Sequence, residues 1–263
     1  MGHGKLRKFA ENETFRCLVQ PAYDDVVASK EGGLTLRDHA LKGQWNTMFS
    51  APAPIVLELG CGRGEYTVDL SLRVPSKNYI GVDIKGARLW TGAKYVTANG
   101  IGNVAFLRTR IEFIDAFFAP GEISEIWLTF SDPQLKSENN RLTSPLFLER
   151  YRKFLAPGGV IHLKTDSMFL YQYSKAVAEA NSLTVLHATE DLYGSEHRAD
   201  VPSLYEVQTY YERMFLSMGL KIKYLSFQLD HSGPFVYPSF DSKYWRGVEG
   251  PRRTFDHNPS KQQ

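Results

Sequence analysis

The stretch that most constrains this 263-residue chain runs from Ile55 to Tyr66, where an apolar run through Leu59 leads into Gly60, Cys61, Gly62, Arg63 and Gly64. Val56 to Leu59 read as a buried strand. Three glycines at alternate positions then predict a main chain that turns sharply, takes positive φ and comes closer to a ligand than any side chain would allow. Tyr66 to Val74 has helical spacing, so the turn feeds a helix N-terminus with its unpaired N–H groups and positive dipole end. Strand, glycine turn and helix together make a nucleotide-type site. It is not the dinucleotide fingerprint G-x-G-x-x-G/A, because Glu65 holds the sixth position, and this disfavours an NAD dehydrogenase.

The pattern present is E-x-G-x-G-x-G, with Glu58 two residues before Gly60. It resembles the first motif of class I S-adenosylmethionine (SAM) methyltransferases. SAM carries a sulfonium cation and an amino group and no pyrophosphate, so a carboxylate at the strand end complements it. A second acid, Asp83, ends the next strand, 19 residues after Gly64 (83 − 64). A carboxylate at that point takes ribose hydroxyls.

Composition removes several alternatives. Lys and Arg number 31 and Asp and Glu 29, so the net charge of +2 requires any nucleic-acid contact to come from local patches. Cys17 and Cys61 are the only cysteines, too few for a disulfide framework or a zinc site. No apolar run approaches the roughly 20 residues that span a bilayer. The opening Met-Gly-His-Gly-Lys-Leu-Arg-Lys lacks a signal-peptide core, and Leu6 breaks the myristoylation pattern. A cytoplasmic enzyme without membrane attachment is expected.

Three regions are expected. Residues 1–50 form an N-terminal extension that opens on a basic arm, Lys5, Arg7 and Lys8, with a short packing helix within Leu34 to Leu41 and Trp45 to Phe49. Residues 51–229 alternate strands and helices, which argues a parallel sheet covered on both faces. The strands are expected at Ile55 to Leu59, Tyr79 to Val82, Val104 to Arg108, Glu125 to Phe130, Val160 to Lys164, Thr184 to His187 and Lys221 to Phe227, the last antiparallel. Helices are expected near Gly86 to Ala98, Ile111 to Phe117, Pro145 to Leu155, Phe169 to Glu179 and Ser203 to Met218, the last opened by a Ser203/Glu206 capping box and stopped by Gly219. Pro157-Gly158-Gly159 reads as a turn before the fifth strand. Residues 230–263 have no period and read as an irregular extension, with aromatics (Phe235, Tyr237, Phe240, Tyr244, Trp245, Phe255) among Lys243, Arg246, Arg252 and Arg253. Such a segment either packs across its own domain or meets nucleic acid.

In an open α/β sheet the ligand lies at the carboxyl ends of the strands, and three polar segments stand there or on the penultimate helix. They are Phe130-Ser131-Asp132-Pro133 with Lys136 and Arg141-Leu142, Leu163-Lys164-Thr165-Asp166, and Thr209-Tyr210-Tyr211-Glu212. Together they resemble the signatures of bacterial tRNA (guanine-N7)-methyltransferases, over roughly Lys5 to Phe227. The resemblance implies a Rossmann-like class I α/β fold with a seven-stranded, mostly parallel sheet, SAM as cofactor and tRNA as partner, with methylation of a guanine N7 in the variable loop. Carried onto this chain, it places SAM against Glu58, Gly60, Gly62, Gly64, Asp83, Asp132 and the backbone at Arg110 and Ile111. Substrate contacts fall on Lys136, Asp166, Thr209 and Glu212, and Asp132 becomes the catalytic residue. Two positions depart from the family. Arg110 stands where an acid or amide is usual, and the segment after Asp132-Pro133 is a short Ser137-Glu138-Asn139-Asn140-Arg141 where the family has a longer basic one. That shortening keeps two alternatives open: SAM chemistry on another base or a small molecule, and a non-catalytic SAM- or RNA-binding module.

Overall fold

The computed structural model describes residues 3–30, 33–196 and 198–249. It begins with helix α1 (His3–Asn12), a two-residue strand β1 (Leu18–Val19) and helix α2 (Tyr23–Val26). A hairpin of β2 (Val27–Lys30) and β3 (Gly33–Leu36) follows, then a 3-10 turn at Trp45–Met48. The central alternation comprises β4 (Ile55–Leu59), α3 (Glu65–Arg73), β5 (Asn78–Asp83), α4 (Gly86–Ala98) and β6 (Val104–Arg108). It continues through β7 (Ile123–Thr129), α5 (Pro145–Tyr151), β8 (Leu155–Thr165), α6 (Met168–Ala180) and β9 (Val185–Thr189). Helices α7 (Pro202–Glu206) and α8 (Tyr210–Ser217), strand β10 (Lys223–Gln228) and helix α9 (Ser242–Glu249) complete the described chain.

The main sheet has eight strands in the order β1-β6-β5-β4-β7-β8-β10-β9. β10 runs antiparallel to both β8 and β9, and the other pairings are parallel. Seven strands correspond to those expected; the eighth, β1, is too short to show a period and forms the sheet edge by pairing Leu18 with Phe106 of β6. Side chains alternate faces along each strand. Ile55, Leu57 and Leu59 therefore enter one core with residues of α5 and α6, while Val56 enters the other with residues of α3 and α4. Glu58 belongs to that second face. The strand order reverses beside β4, between β5 and β7, which opens a crevice at the carboxyl ends.

Several sequence expectations are corrected. Leu34 to Leu36 lie in β3, not in a helix, because Arg37 N–H pairs with Val26 O (2.7 Å) and keeps the chain extended. Ile111–Ala116 is a 3-10 turn. The helix from Pro145 ends at Tyr151, and Pro157-Gly158-Gly159 belongs to β8 as an outward bulge, since Ile123 pairs with Leu155 and Glu125 with Val160. The expected helix Ser203 to Met218 is two helices, α7 and α8, and Ser203 makes no capping bond. The 230–263 extension is not wholly irregular, since it contains α9; Arg252, Arg253 and Phe255 lie outside the described residues. The basic arm forms α1 and packs on α4, with Lys8 Nζ 4.3 Å from the Trp90 ring centre.

Candidate active site

Gly60, Gly62 and Gly64 all adopt left-handed φ, at 82°, 59° and 76°. A Cβ on Gly60 or Gly62 would meet nothing within 4 Å, whereas one on Gly64 would lie 2.5 Å from the Phe106 ring. The first two glycines thus border open space, and the third lets α3 approach the sheet. The turn is tied to the next strand by Gly60 and Cys61 N–H groups donating to Val82 O (2.8 and 3.0 Å). Asp83 adds to this: its Oδ2 accepts from Gly62 N–H (3.1 Å) and its Oδ1 from Lys85 N–H (2.7 Å).

Glu58 lies beneath this turn, 3% exposed. Its Oε2 accepts from the Thr67 hydroxyl of α3 and its Oε1 from the Thr129 hydroxyl of β7 (2.5 Å). Burial pushes its pKa up, and the two hydroxyls oppose that by donating to the carboxylate. These two bonds make Glu58 a brace for the turn from below; the sequence reading put it against the ligand. Neither threonine was legible as its partner, because each comes from a different element.

Beyond β7, Phe130 and Gln134 hold left-handed φ of 50° and 48°, strain of about 1–3 kcal/mol each for non-glycine residues. They bracket Ser131-Asp132-Pro133. Asp132 is exposed, and its Oδ1 accepts from Gln134 N–H (2.8 Å). The loop is clamped by Arg141, which is 2% exposed. Its Nε donates to Pro133 O (3.3 Å), and its guanidinium lies 4.3 Å and 4.7 Å from the ring centres of Tyr173 and Phe169. Arg141 was visible in the motif, but nothing in its spacing showed that it reaches back under Asp132-Pro133. Lys136 is exposed on the same loop.

After β8, Asp166 is half-buried, and its carbonyl accepts from Lys223 Nζ (2.8 Å). The cap of α6 is Ser167, whose hydroxyl accepts from Leu170 N–H (3.0 Å). Arg110, after β6, turns its exposed guanidinium toward Glu112 (3.4 Å) and Phe113, while Ile111 beside it is half-buried.

Thr209 caps α8, its hydroxyl accepting from Glu212 N–H (3.2 Å). Glu212, expected against the substrate, is instead 0% exposed and ion-paired with the equally buried Lys164 (2.8 Å). Its Oε1 also accepts from the Tyr193 hydroxyl (2.6 Å). Burial pushes Glu212 up and Lys164 down, and their mutual attraction opposes both shifts. Lys164 further donates to Leu204 O and Val207 O (2.8 and 3.0 Å), which is why the chain breaks between α7 and α8. Tyr210 N–H donates to Glu65 Oε2 (3.1 Å), so the start of α8 is joined to the start of α3.

The assembled crevice is a glycine cradle at the end of β4, with Asp83, Asp132 and Asp166 at the ends of β5, β7 and β8. A cation-bearing nucleoside fits it: backbone approach at Gly60 and Gly62 is open, and the rim is acidic. Among the described residues no group of three or more His, Cys, Asp or Glu side chains is arranged to hold a metal ion, and no helix is long and apolar enough to cross a membrane.

Residues 52–225 match a family described as "Putative methyltransferase". A tRNA (guanine-N(7)-)-methyltransferase of Bacteroides thetaiotaomicron is 50% identical over 245 residues, 92% of each chain. The protein of the same description from Porphyromonas gingivalis is 53% identical over 218 residues, 82% of this chain and 86% of that one. Among solved structures, the 16S rRNA methyltransferase KamB superposes with a TM-score of 0.53 at 14% identity, covering 76% of this chain and 98% of its own, a likeness of fold.

Proposed function

The chain belongs to the bacterial tRNA (guanine-N7)-methyltransferase family, and on that premise we propose that its crevice methylates N7 of a guanine in the variable loop of tRNA, with SAM as methyl donor. Bound there, SAM would supply an electrophilic methyl group on a sulfonium centre for the N7 lone pair, with S-adenosylhomocysteine as the leaving group. N7 carries no proton, so the protein has no base to provide. Its tasks are to orient the purine and to offset the positive charge that the purine acquires.

Asp132 does both, from a loop whose left-handed residues and Arg141 clamp hold it at the crevice. That held, exposed carboxylate is the observation that carries the reading. Asp166 accepts from the guanine N1–H and N2 amine, a donor face that adenine lacks, and so selects the base. Lys136 holds a phosphate. On the cofactor side, Gly60 and Gly62 admit SAM to the backbone while Gly64 packs the helix behind it. Asp83 takes the ribose hydroxyls, the backbone at Arg110 and Ile111 meets the adenine, and Glu58 supports the turn from below. Thr209 and Glu212 act by fixing the start of α8 beside that turn. A tRNA substrate supports a cytoplasmic site of action.

The test is methyl transfer from labelled SAM to tRNA lacking the modification, followed by nucleoside analysis. Wild type yields 7-methylguanosine, and Asp132→Ala lowers kcat by about 100-fold or more, the scale for removing one charge-stabilising group. SAM binding without a tRNA product would move the acceptor to another molecule, in keeping with the short loop 137–141.

A further inference from the structure

We propose that Lys243, Tyr244 and Arg246 of α9 form a docking surface for the tRNA backbone, alongside the acceptor half of the crevice. The inference rests on the tRNA substrate assigned above and names where that substrate is gripped.

The need arises from the loop beside Asp132. Of its cations, Arg141 is buried under Pro133, Glu138 introduces an acid, and Lys136 alone is exposed to solvent. A polyanion held at one phosphate binds weakly at physiological salt, because affinity grows with each phosphate neutralised.

The C-terminal extension runs along the same region. Tyr237 donates its hydroxyl to Asn139 Oδ1 (2.7 Å), inside the short loop. Phe240 sits edge-on to Phe169 and Tyr173, both at 5.4 Å, the two rings that also cover Arg141. Glu249 Oε2 then accepts from Phe169 N–H (3.0 Å), three residues beyond Asp166. The extension therefore borders both segments that carry the proposed substrate residues.

Its charges are sorted by position. Among the described residues its acids bond to the protein itself: Asp230 accepts from Thr184, Asp241 caps α9 by accepting from Lys243 and Tyr244 N–H groups (3.1 and 2.9 Å), and Glu249 turns in to α6. Trp245 is half-buried and stacks on Phe240 (6.4 Å, 8°). Lys243 and Arg246, three apart and hence on neighbouring positions of the helix surface, are exposed. Tyr244 between them is 60% exposed. A surface of two cations and an exposed ring, whose neighbouring acid Asp241 is engaged by the helix's own N–H groups, complements a phosphate backbone and an unstacked base.

The experiment measures binding of the full chain to tRNA by fluorescence anisotropy across a salt series, for wild type, Lys243→Glu/Arg246→Glu and Tyr244→Ala. The double reversal is expected to weaken tRNA roughly tenfold or more and to flatten the salt slope by about 1.5, the sum for two phosphate contacts. Tyr244→Ala is expected to weaken binding about fivefold or more with the slope unchanged. Thermal midpoint and SAM affinity stay at wild-type values in both. Unchanged tRNA affinity and slope in the double reversal overturn the proposal, as does a change confined to the oligomeric state, which would make α9 a protein interface. Wild type that binds tRNA yet forms no 7-methylguanosine defeats the reaction assigned above and leaves the docking result to be read separately.

Discussion

Breaking the Lys164–Glu212 pair separates two roles for Glu212, anchor of α8 or substrate contact. At 2.8 Å and an effective dielectric of about 20, the attraction within the pair is about 6 kcal/mol, and it is largely offset by stripping water from two ions at 0% exposure. Removing one partner abolishes the attraction and keeps the other ion buried. In Lys164→Met, Glu212 keeps the Tyr193 hydroxyl but loses its counter-ion, and the carbonyls of Leu204 and Val207 lose their donor. The expected loss is about 3–5 kcal/mol, a fall in Tm of roughly 10 °C for a chain of this size. Glu212→Gln strands the ammonium and is expected to lose a similar amount. Lys164→Met/Glu212→Leu leaves no buried charge and recovers about half of that loss or more. Thermal and urea denaturation of the four proteins, with kcat and KM for tRNA measured well below each Tm, decides the matter. A Glu212→Gln variant as stable as wild type but strongly impaired in KM for tRNA would refute the anchoring role and return Glu212 to the substrate.

Three further outcomes are expected. His162 stacks on Trp127 at 4.1 Å, and burial pushes its pKa from 6.5 down to about 4 against the opposing pull of Glu125. The unfolded chain takes up that proton first, so stability is full above pH 6.5, falls by about 3 kcal/mol as pH drops toward 4, and levels off below; urea titrations should show this slope in wild type and lose most of it in His162→Gln. Gly92→Ala would set a Cβ 2.6 Å from the Phe106 ring and 2.8 Å from Arg63 O, and it is expected to destabilise by about 1–3 kcal/mol. Gly62→Ala meets no atom within 4 Å and bears only the left-handed penalty of about 1–2 kcal/mol, yet is expected to weaken SAM by roughly tenfold or more in calorimetric titration, because its Cβ enters the cradle.

What could be read in the chain follows from how local each signal is. The central strands are apolar runs buried on both faces, so Ile55–Leu59 and Val104–Arg108 stand where their composition puts them. Two N-terminal capping patterns compete between 203 and 218, Ser203/Glu206 and Thr209/Glu212. The second prevails because a cation from a distant strand, Lys164, draws the carbonyls of Leu204 and Val207 and ends α7 there. Glu206 is drawn off to Arg73 (2.9 Å) instead of closing a box. The acids of the site were legible as types and positions, since Glu58 and Asp83 stand at strand ends, Asp132 and Asp166 follow strands and Glu212 opens a helix. Which of them face the crevice was not: Glu58 and Glu212 are turned inward by Thr67, Thr129, Lys164 and Tyr193, partners contributed by other elements.

The pairing of β1 with β6 sets an order of events at the ribosome. Leu18 must wait for Phe106, 88 residues later (106 − 18), before it has a strand to join. At about 5–20 residues per second that interval is roughly 4–18 s, long compared with the closing of local turns and helices. The first segment made therefore docks only after β4, β5 and β6 have been made. During that interval the outer edge of β6 does not yet exist, and once β6 pairs with β5 it stays open until the N-terminal segment returns to cover it.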